Sequence, residues 1–138
     1  MERTGRCMCG AISYTAKADA PRLSACHCDM CRRWCGVAIM VGGWEVAWSG
    51  EDKLTVYASS AWAERGFCST CGSSLFYRIT ADGPHRGHLT LNFGTLDDRS
   101  GFTMETEWYS DQCPEAYAFA GERKKITAAE VRAMFGMG

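Results

Sequence analysis

The sequence lacks the features that mark secreted, membrane-bound and nucleic-acid-binding proteins. No apolar segment of a signal peptide follows the first six residues, and no window resembles a membrane span. The formal net charge of −1 leaves no basic excess that would attract nucleic acid. Internal repeats, low-complexity stretches and proline- or serine-rich linkers are also missing. These absences predict a cytoplasmic protein that binds neither membranes nor nucleic acids.

The length and composition predict one globular domain over residues 1–138. A chain of 138 residues is long enough to bury one core and too short for two independent ones. Hydrophobic residues make up 46% of the chain and charged residues 22%, which is typical of a folded rather than a disordered protein.

Short alternating runs between turn residues favour strands over most of the chain. The predicted strands cover residues 11–15, 37–41, 44–48, 54–57, 74–79 and 88–93. The last two flank Asp82-Gly83-Pro84, so they predict a hairpin. This pattern predicts a mainly β protein, built as an all-β meander or sandwich.

Two helical pieces are expected in addition. The residues after Cys28 lack strand alternation and favour a short helix. Thr127 and Glu130 have the spacing of a capping box, which predicts a short C-terminal helix. Val131, Met134 and Phe135 would then lie on one face of that helix and cover an edge of the sheet.

Nine cysteines are unusual for a chain of this length. They indicate either a disulfide framework or metal ligation. Without an export signal the chain is expected in a reducing compartment, where stable disulfides are rare, and an odd number cannot pair completely. Metal ligation is therefore favoured.

The first group of cysteines has the composition of a structural zinc site. Its members are Cys7, Cys9, Cys68 and Cys71. Four thiolates are the usual ligand set of a closed tetrahedral zinc. Gly10 and Gly72 follow the two pairs and allow tight turns whose amides can point at the sulfurs. Such a site would contribute folding free energy by linking the N-terminus to a mid-chain hairpin. The alternative is two unrelated pairs of buried thiols.

The second group, Cys26, Cys28 and Cys31, has one ligand fewer. Alternation at the end of a strand directs Cys26 and Cys28 to one side and His27 to the other, and a turn returns Cys31 to them. Three protein ligands with an exchangeable fourth position are typical of catalytic zinc. Three thiolates weaken the metal as a Lewis acid, so this group suits the activation of a substrate thiol better than that of water.

Three alternatives to an open site remain for these residues. Cys35 lies one helical turn after Cys31 and could close the site as a fourth ligand, which would make it structural. The spacing of Cys28, Cys31 and Cys35 resembles part of an iron–sulfur ligand run, although the run is incomplete. A redox pair among Cys31, Cys35 and Cys113 is the third possibility.

Two arginines directly follow the second cysteine group. Arg32 and Arg33 could bind a carboxylate of the substrate thiol through their guanidinium groups. The equally weighted alternative is that they lie on a solvated helical turn.

The ordered cysteine motifs resemble those of a known family. The motifs are Cys7-x-Cys9-Gly10, Cys26-His27-Cys28-x-x-Cys31-Arg32-Arg33, Phe67-Cys68-x-x-Cys71-Gly72 and the segment 94–98. Together they resemble the glutathione-dependent formaldehyde-activating family, which also includes the centromere protein V domain. The resemblance spans roughly residues 5–120. Cys35 departs from it, because the family has a small, non-ligating residue there.

The resemblance implies a fold, two metal sites and an activity. It implies a β-tent of stacked antiparallel sheets that zinc holds together. It also implies two Zn²⁺ ions per chain, one structural on Cys7, Cys9, Cys68 and Cys71, and one in the active site on Cys26, Cys28 and Cys31. The implied reaction is the condensation of glutathione with formaldehyde to S-hydroxymethylglutathione.

The resulting hypothesis is a zinc-dependent carbon–sulfur lyase-like enzyme that acts on an adduct of a small thiol such as glutathione. Cys26, Cys28 and Cys31 would form its catalytic site, and Arg32 or Arg33 would bind the substrate. The alternative hypothesis is a non-catalytic, zinc-stabilised binding module in which both metal sites are structural.

Overall fold

A computed structural model describes residues 1–136 of the chain, so the end of the predicted domain at residue 138 lies outside the described residues. The strands are β1 (Glu2–Arg6), β2 (Ser13–Lys17), β3 (Arg22–Cys26), β4 (Ala38–Gly42), β5 (Glu45–Ser49), β6 (Leu54–Tyr57), β7 (Ala63–Cys68), β8 (Ser74–Ile79), β9 (Leu89–Asn92), β10 (Met104–Trp108) and β11 (Lys124–Ile126). The α-helices are α1 (Asp29–Cys35) and α2 (Ala128–Phe135). Single 3₁₀ turns cover Glu51–Lys53, Phe93–Thr95, Ser110–Gln112 and Glu115–Tyr117.

The strands form two sheets, which confirms a mainly β fold. The smaller sheet has the order β1-β2-β5, and the larger one has the order β11-β10-β3-β4-β9-β8-β7-β6. The predicted hairpin is present, because β8 and β9 pair antiparallel with Arg78 opposite Leu89. Strands β6 and β8 have the predicted bounds, whereas β2, β4, β5 and β9 differ from them by one or two residues.

The expectation of purely antiparallel sheets is wrong at one end of the larger sheet. Strand β10 runs parallel to both of its neighbours, β3 and β11. Parallel neighbours need a long crossover connection, which residues 109–123 provide between β10 and β11. The pairing of β3 with β10 joins segments that are far apart in the sequence, so no local turn signal indicates it.

The main core contains side chains from both sheets. Its fully buried members include Ile12, Val41, Leu75, Phe76 and Leu91, and the cluster also contains Cys7 and Cys68. Phe76 packs against Gly66 so closely that a Cβ on this glycine would lie 2.1 Å from the phenylalanine ring. The glycine in β7 therefore makes room for an aromatic side chain of β8, which explains a strand that the alternation pattern does not predict.

Helix α1 begins and ends at residues suited to those positions. The Cys28 sulfur accepts a hydrogen bond from the amide of Cys31 at the N-terminus of the helix. Asp29 lies in the first turn, and Gly36 ends the helix with a φ of 78°. This confirms the short helix expected after Cys28 and fixes two cysteines at its start.

The C-terminal helix α2 begins at the predicted capping box, in which Thr127 and Glu130 bond to each other's backbone amides. Val131 is buried, as expected, but Met134 and Phe135 are 55% and 46% exposed. The expectation that all three cover the sheet edge is therefore wrong for two of them. Only Ala128 and Val131, in the first half of the helix, are buried, and the helix packs against the turn Ser110–Gln112. Within residues 1–136 no helix is long and apolar enough to cross a membrane.

A buried ionic network holds the parallel end of the larger sheet. Glu107 on β10 is 3% exposed, and its carboxylate bonds to His27 Nε2 at 2.8 Å and to Arg123 Nη1 at 2.6 Å. Burial opposes ionisation of Glu107, but the hydrogen bonds from Arg123 and His27 lower the pKa of its carboxyl overall. The network joins β10 to the residue after β3 and to the segment before β11.

The substitution Glu107→Gln should destabilise the protein by about 3 kcal/mol at pH 7, because it leaves a buried guanidinium without its counter-charge. The carboxylate contributes fully to the unfolding free energy above about pH 4.5. This contribution is lost as the pH falls through the lowered folded-state pKa. The difference in unfolding free energy between wild type and variant should therefore shrink in acid, as measured by denaturant unfolding. Glu105→Gln, at an exposed position of the same strand, is the control and should change stability little. A pH-independent difference would contradict the assignment.

Candidate metal centres

Four cysteines converge where the β1–β2 connection meets the β7–β8 turn. Their sulfurs all lie within 4.8 Å of one another. The Cys9 sulfur is 3.7 Å from that of Cys7 and 3.9 Å from that of Cys68. Sulfurs at the corners of a tetrahedron around a metal 2.3 Å away would be about 3.8 Å apart. We call Cys7, Cys9, Cys68 and Cys71 the four-cysteine cluster, and its spacing fits a tetrahedral metal.

Backbone amides surround the four-cysteine cluster. Ile12 donates to the Cys7 sulfur at 3.3 Å, Ala11 to Cys9 at 3.5 Å, and the amide of Cys71 to Cys68 at 3.4 Å. The Ser73 hydroxyl lies 3.1 Å from the Cys71 sulfur and lowers the pKa of that thiol to about 5. These donors stabilise thiolates, the form that a metal requires.

Tight turns with left-handed glycines carry both cysteine pairs. Gly10 has a φ of 81° and Gly72 a φ of 79°, in the region that side chains disfavour. Their amides donate to the carbonyls of Cys7 and Cys68, respectively. Both turns are therefore tight, as the sequence predicts, and amides of the turns point at the sulfurs of Cys9 and Cys68.

The second cluster lies at the junction of β3 and α1. The sulfurs of Cys26, Cys28 and Cys31 lie within 4.8 Å of one another. Cys31 is buried, whereas Cys26 and Cys28 are partly exposed. We call these residues the three-cysteine cluster. A ligand from solvent can approach its partly exposed side.

The thiols of the three-cysteine cluster share their protons unequally. The neighbouring Cys26 and Cys31 thiols, together with backbone amides, lower the pKa of Cys28 to about 2. The same sharing raises the pKa of Cys26, which is the group that keeps its proton beside the Cys28 thiolate. Since metals bind thiolates, a metal in this cluster would release the remaining thiol protons.

Cys35 does not belong to the three-cysteine cluster. Its sulfur instead accepts a hydrogen bond from Asn92 Nδ2 at 3.4 Å, and burial raises the pKa of its thiol. Cys35 and Asn92 line a cavity of about 450 Å³, together with Trp34, Val37, Ile39, Ser74, Phe93, Gly94 and Arg99. Among residues 1–136, the structure thus gives the three-cysteine cluster no fourth cysteine.

The two arginines singled out in the sequence lie on the outer side of α1. Arg32 forms an ion pair with Asp29, with Nη2 2.8 Å from the carboxylate. Arg33 is exposed and forms no ion pair within the described part of the chain. Neither side chain contacts a cluster sulfur in residues 1–136.

Two residues that the sequence analysis does not predict lie near the three-cysteine cluster. Arg65 Nη2 donates to the Cys31 sulfur at 3.6 Å. Tyr109 alone among the non-glycine residues 1–136 has a positive φ, at 55°. Burial and the charges of Cys28 and Cys26 raise the pKa of its phenol. The other residues of the strand that holds Arg65, β7, are mostly buried. Their burial is the one local sign that the charged Arg65 side chain faces inward.

His27, Glu107 and Cys113 form a third group of metal-ligating residue types within 4.8 Å of one another. His27 points away from the three-cysteine cluster, and its ring nitrogen already bonds to Glu107. Arg123 balances the charge of the same carboxylate. This group is therefore an ionic network that is complete without a metal.

The fold and the two cysteine clusters define a β protein with two candidate metal centres, one with four thiol ligands and one with three. The family model of the glutathione-dependent formaldehyde-activating enzymes matches residues 2–112. The chain belongs to this family, which confirms the resemblance seen in the cysteine motifs.

Individual relatives agree with this assignment. An uncharacterised lyase of Schizosaccharomyces pombe is 32% identical over 132 residues, which cover 94% of both chains. A putative glutathione-dependent formaldehyde-activating enzyme of Talaromyces marneffei is 31% identical over 101 residues, which cover 70% of this chain and 54% of that protein. The match thus spans about half of the Talaromyces protein. A crystal structure of a Rhodobacter sphaeroides protein has a TM-score of 0.58 and 24% identity over 76% of this chain and 98% of that one, which shows a shared fold.

The geometry predicts that Cys31→Ser and Cys35→Ser will differ in bound metal, although both residues lie on α1. Cys31→Ser should remove one metal ion per chain because it removes a ligand of the three-cysteine cluster. Cys35→Ser should leave the metal content of the wild type unchanged. Elemental analysis of protein purified under reducing, anaerobic conditions measures both. Loss of metal from Cys35→Ser equal to that from Cys31→Ser would mean that Cys35 is a ligand.

A metal in the four-cysteine cluster should contribute directly to folding, since it joins residues 59 positions apart. Cys68→Ser is therefore expected to lower the unfolding free energy by on the order of 5 kcal/mol. Cys113→Ser, at a partly exposed thiol outside both cysteine clusters, should change it little. Chemical denaturation at fixed metal concentration measures both variants, and equal effects would argue against a structural metal.

Proposed function

We propose that this protein is a zinc-dependent carbon–sulfur lyase-like enzyme that acts on the adduct of a small thiol with an aldehyde. The observation that carries the proposal is the three-cysteine cluster, which offers three sulfurs to a metal and leaves a coordination position for an exchangeable ligand. The family of the chain and the names of its relatives, a lyase and putative formaldehyde-activating enzymes, support the same reaction class.

Two Zn²⁺ ions per chain fit the donor sets. Cys7, Cys9, Cys68 and Cys71 would hold a structural ion, and Cys26, Cys28 and Cys31 would hold a catalytic one. Thiolate sulfur is a preferred zinc ligand, and tetrahedral geometry matches the sulfur spacing of the four-cysteine cluster. When bound in the three-cysteine cluster, zinc would favour the thiolate form of a substrate thiol, the reactive nucleophile at neutral pH.

The proposed reaction balances without a further reactant. The thiolate sulfur attacks the aldehyde carbon and forms the carbon–sulfur bond, while the carbonyl π electrons move to oxygen. That oxygen then takes up the proton released by the thiol. In the lyase direction the hydroxyl proton leaves, the carbonyl re-forms, and the carbon–sulfur bond breaks with its electron pair remaining on sulfur. The released thiolate takes up the proton and gives back the thiol.

Glutathione and formaldehyde are the substrates we propose, because the family and the Talaromyces relative carry these names. Of the two arginines after the cluster, Arg33 is the better candidate for a substrate carboxylate, since Asp29 already engages Arg32. The chemistry needs reduced thiols, so we place the protein in a reducing compartment such as the cytoplasm.

We further propose that the two sheets form the β-tent of this family as one domain over residues 1–138, with zinc in the four-cysteine cluster holding the sheets together. Cys7 follows a strand of the smaller sheet, and Cys68 ends a strand of the larger one. A metal bound to both would cross-link the two sheets.

The alternative, a binding module with two structural metals, depends on a fourth protein ligand at the second site. Cys35 was the candidate for this role, and its thiol contacts Asn92 instead. The lyase is therefore the better supported of the two proposals.

Exchange NMR with ¹³C-formaldehyde and glutathione tests the proposed reaction. The zinc-loaded protein should increase the exchange rate between free and adduct formaldehyde above the spontaneous rate. Cys35→Ser should retain this increase, and Cys31→Ser should lose it. A wild-type rate equal to the spontaneous one would refute glutathione and formaldehyde as substrates.

Cobalt substitution separates the two proposals independently of substrate identity. A Co²⁺ ion at the three-cysteine cluster should change its visible spectrum when a small thiol is added, because the fourth position exchanges. An inert spectrum with four sulfur ligands would instead support the binding module.

A further inference from the structure

Among residues 1–136, Arg65 on β7 is a buried cation without a carboxylate partner. The residue is only 4% exposed. Its neighbour in the sequence, Glu64, pairs with Arg78, and no carboxylate of residues 1–136 lies within ion-pair distance of Arg65. A guanidinium keeps its charge inside proteins, so this charge needs compensation from another source.

Neutral groups hold the Arg65 side chain in place. Its guanidinium carbon lies 4.9 Å from the centroids of both the Trp34 and the Tyr77 rings. Its Nε donates to the Ser59 hydroxyl at 3.2 Å, and Nη1 is buried without a hydrogen-bond partner in residues 1–136. Ring faces attract a cation but do not neutralise it. The remaining contact is the one from Nη2 to the Cys31 sulfur, at 3.6 Å.

The charges of the three-cysteine cluster and Arg65 complement each other. Three thiolates and one divalent ion sum to −1, and the guanidinium brings the total to zero. The four-cysteine cluster has no such partner within residues 1–136: its sulfurs accept bonds from backbone amides, and Cys9 is exposed to solvent. Within residues 1–136, a buried cation that donates to a cluster sulfur is thus present only at the three-cysteine cluster, whereas Arg6, beside the four-cysteine cluster, is exposed and donates to the Met8 carbonyl.

We propose that Arg65 is a positioning residue that supplies the fixed counter-charge of the three-cysteine metal centre. This inference rests on the proposed metal at that cluster and not on the identity of the substrate. Its charge stabilises the thiolates of the cluster, above all that of Cys31. It also leaves the centre neutral before a further anionic ligand, such as a substrate thiolate, arrives.

The test compares the Co²⁺ affinity of each cluster in Arg65→Met, Arg65→Lys and wild type, by chelator competition with the visible absorbance as readout. Arg65→Met should weaken binding at the three-cysteine cluster by about tenfold or more. Arg65→Lys keeps the charge and should restore most of the affinity. The four-cysteine cluster serves as the internal control for folding and should bind Co²⁺ equally in all three proteins.

Arg78→Met is the matched control variant. Arg78 also lies 4.9 Å from an aromatic ring centroid, that of Phe76, but it pairs with Glu64 and contacts no cluster sulfur. It should leave both affinities unchanged. A change at the three-cysteine cluster as large as that from Arg65→Met would mean that loss of packing, not of charge, is responsible, and would overturn the proposal.

Two further outcomes would overturn the proposal: an Arg65→Met protein with wild-type affinity at the three-cysteine cluster, or a folded Arg65→Lys protein that has lost it. The second outcome, on Arg65→Lys, remains a valid test even if Arg65→Met fails to fold. A site-selective loss of Co²⁺ affinity in Arg65→Met, rescued in Arg65→Lys, supports the counter-charge even if wild type shows no lyase activity. Failure of the proposed reaction and failure of this inference are therefore distinguishable.

Discussion

Concentrated thiolate charge is the constraint around which this molecule is arranged. Seven cysteine sulfurs lie in two clusters that could each hold a metal, and the thiolate charge of each cluster needs compensation by the surrounding donors. The four-cysteine cluster lies where a strand end of the smaller sheet meets a turn of the larger one. The amides and the hydroxyl that compensate its thiolate charge therefore also fix how the two sheets meet. The sheet core, with Cys7 and Cys68 among its buried members, packs directly against this junction.

The three-cysteine cluster meets the same constraint differently. It lies at the end of β3 and the start of α1, with two partly exposed sulfurs and a buried third. Its charge is opposed by a buried guanidinium from a distant strand rather than by a shell of amides alone. Cys26 and Cys28 are partly exposed, and a site that is to bind and release a substrate thiol needs such access. The buried network of His27, Glu107 and Arg123 lies on the opposite side of the strand end and holds that strand in the parallel part of the sheet.

Much of the candidate site could be predicted from local patterns. Pairs of cysteines in tight turns and the direction of Cys26 and Cys28 follow from short-range geometry, as do the helix after Cys28 and the capping box at Thr127. Alternation also predicts the bounds of strands β6 and β8. The sequence predicts no strand at β1, β7, β10 or β11. Strands β1 and β7 pair with their hairpin neighbours β2 and β8, but charged residues and glycine break their alternation, and β10 pairs with the distant β3. In β7 the glycine makes room for the Phe76 ring, and Arg65 lies beside the three-cysteine cluster.

The sequence by itself determined which residues could act as ligands, since thiol chemistry and turn spacing depend only on neighbouring residues. It did not determine whether Cys35 joins the three-cysteine cluster, because a residue one helical turn from Cys31 can face that cluster or point away from it. Tertiary structure decided this: Asn92, from β9, bonds to the Cys35 sulfur. Tertiary structure likewise placed Arg65, from the distant strand β7, beside the Cys31 sulfur. Compensation of a buried charge depends on what the fold brings within a few ångströms, and no local pattern encodes that distance.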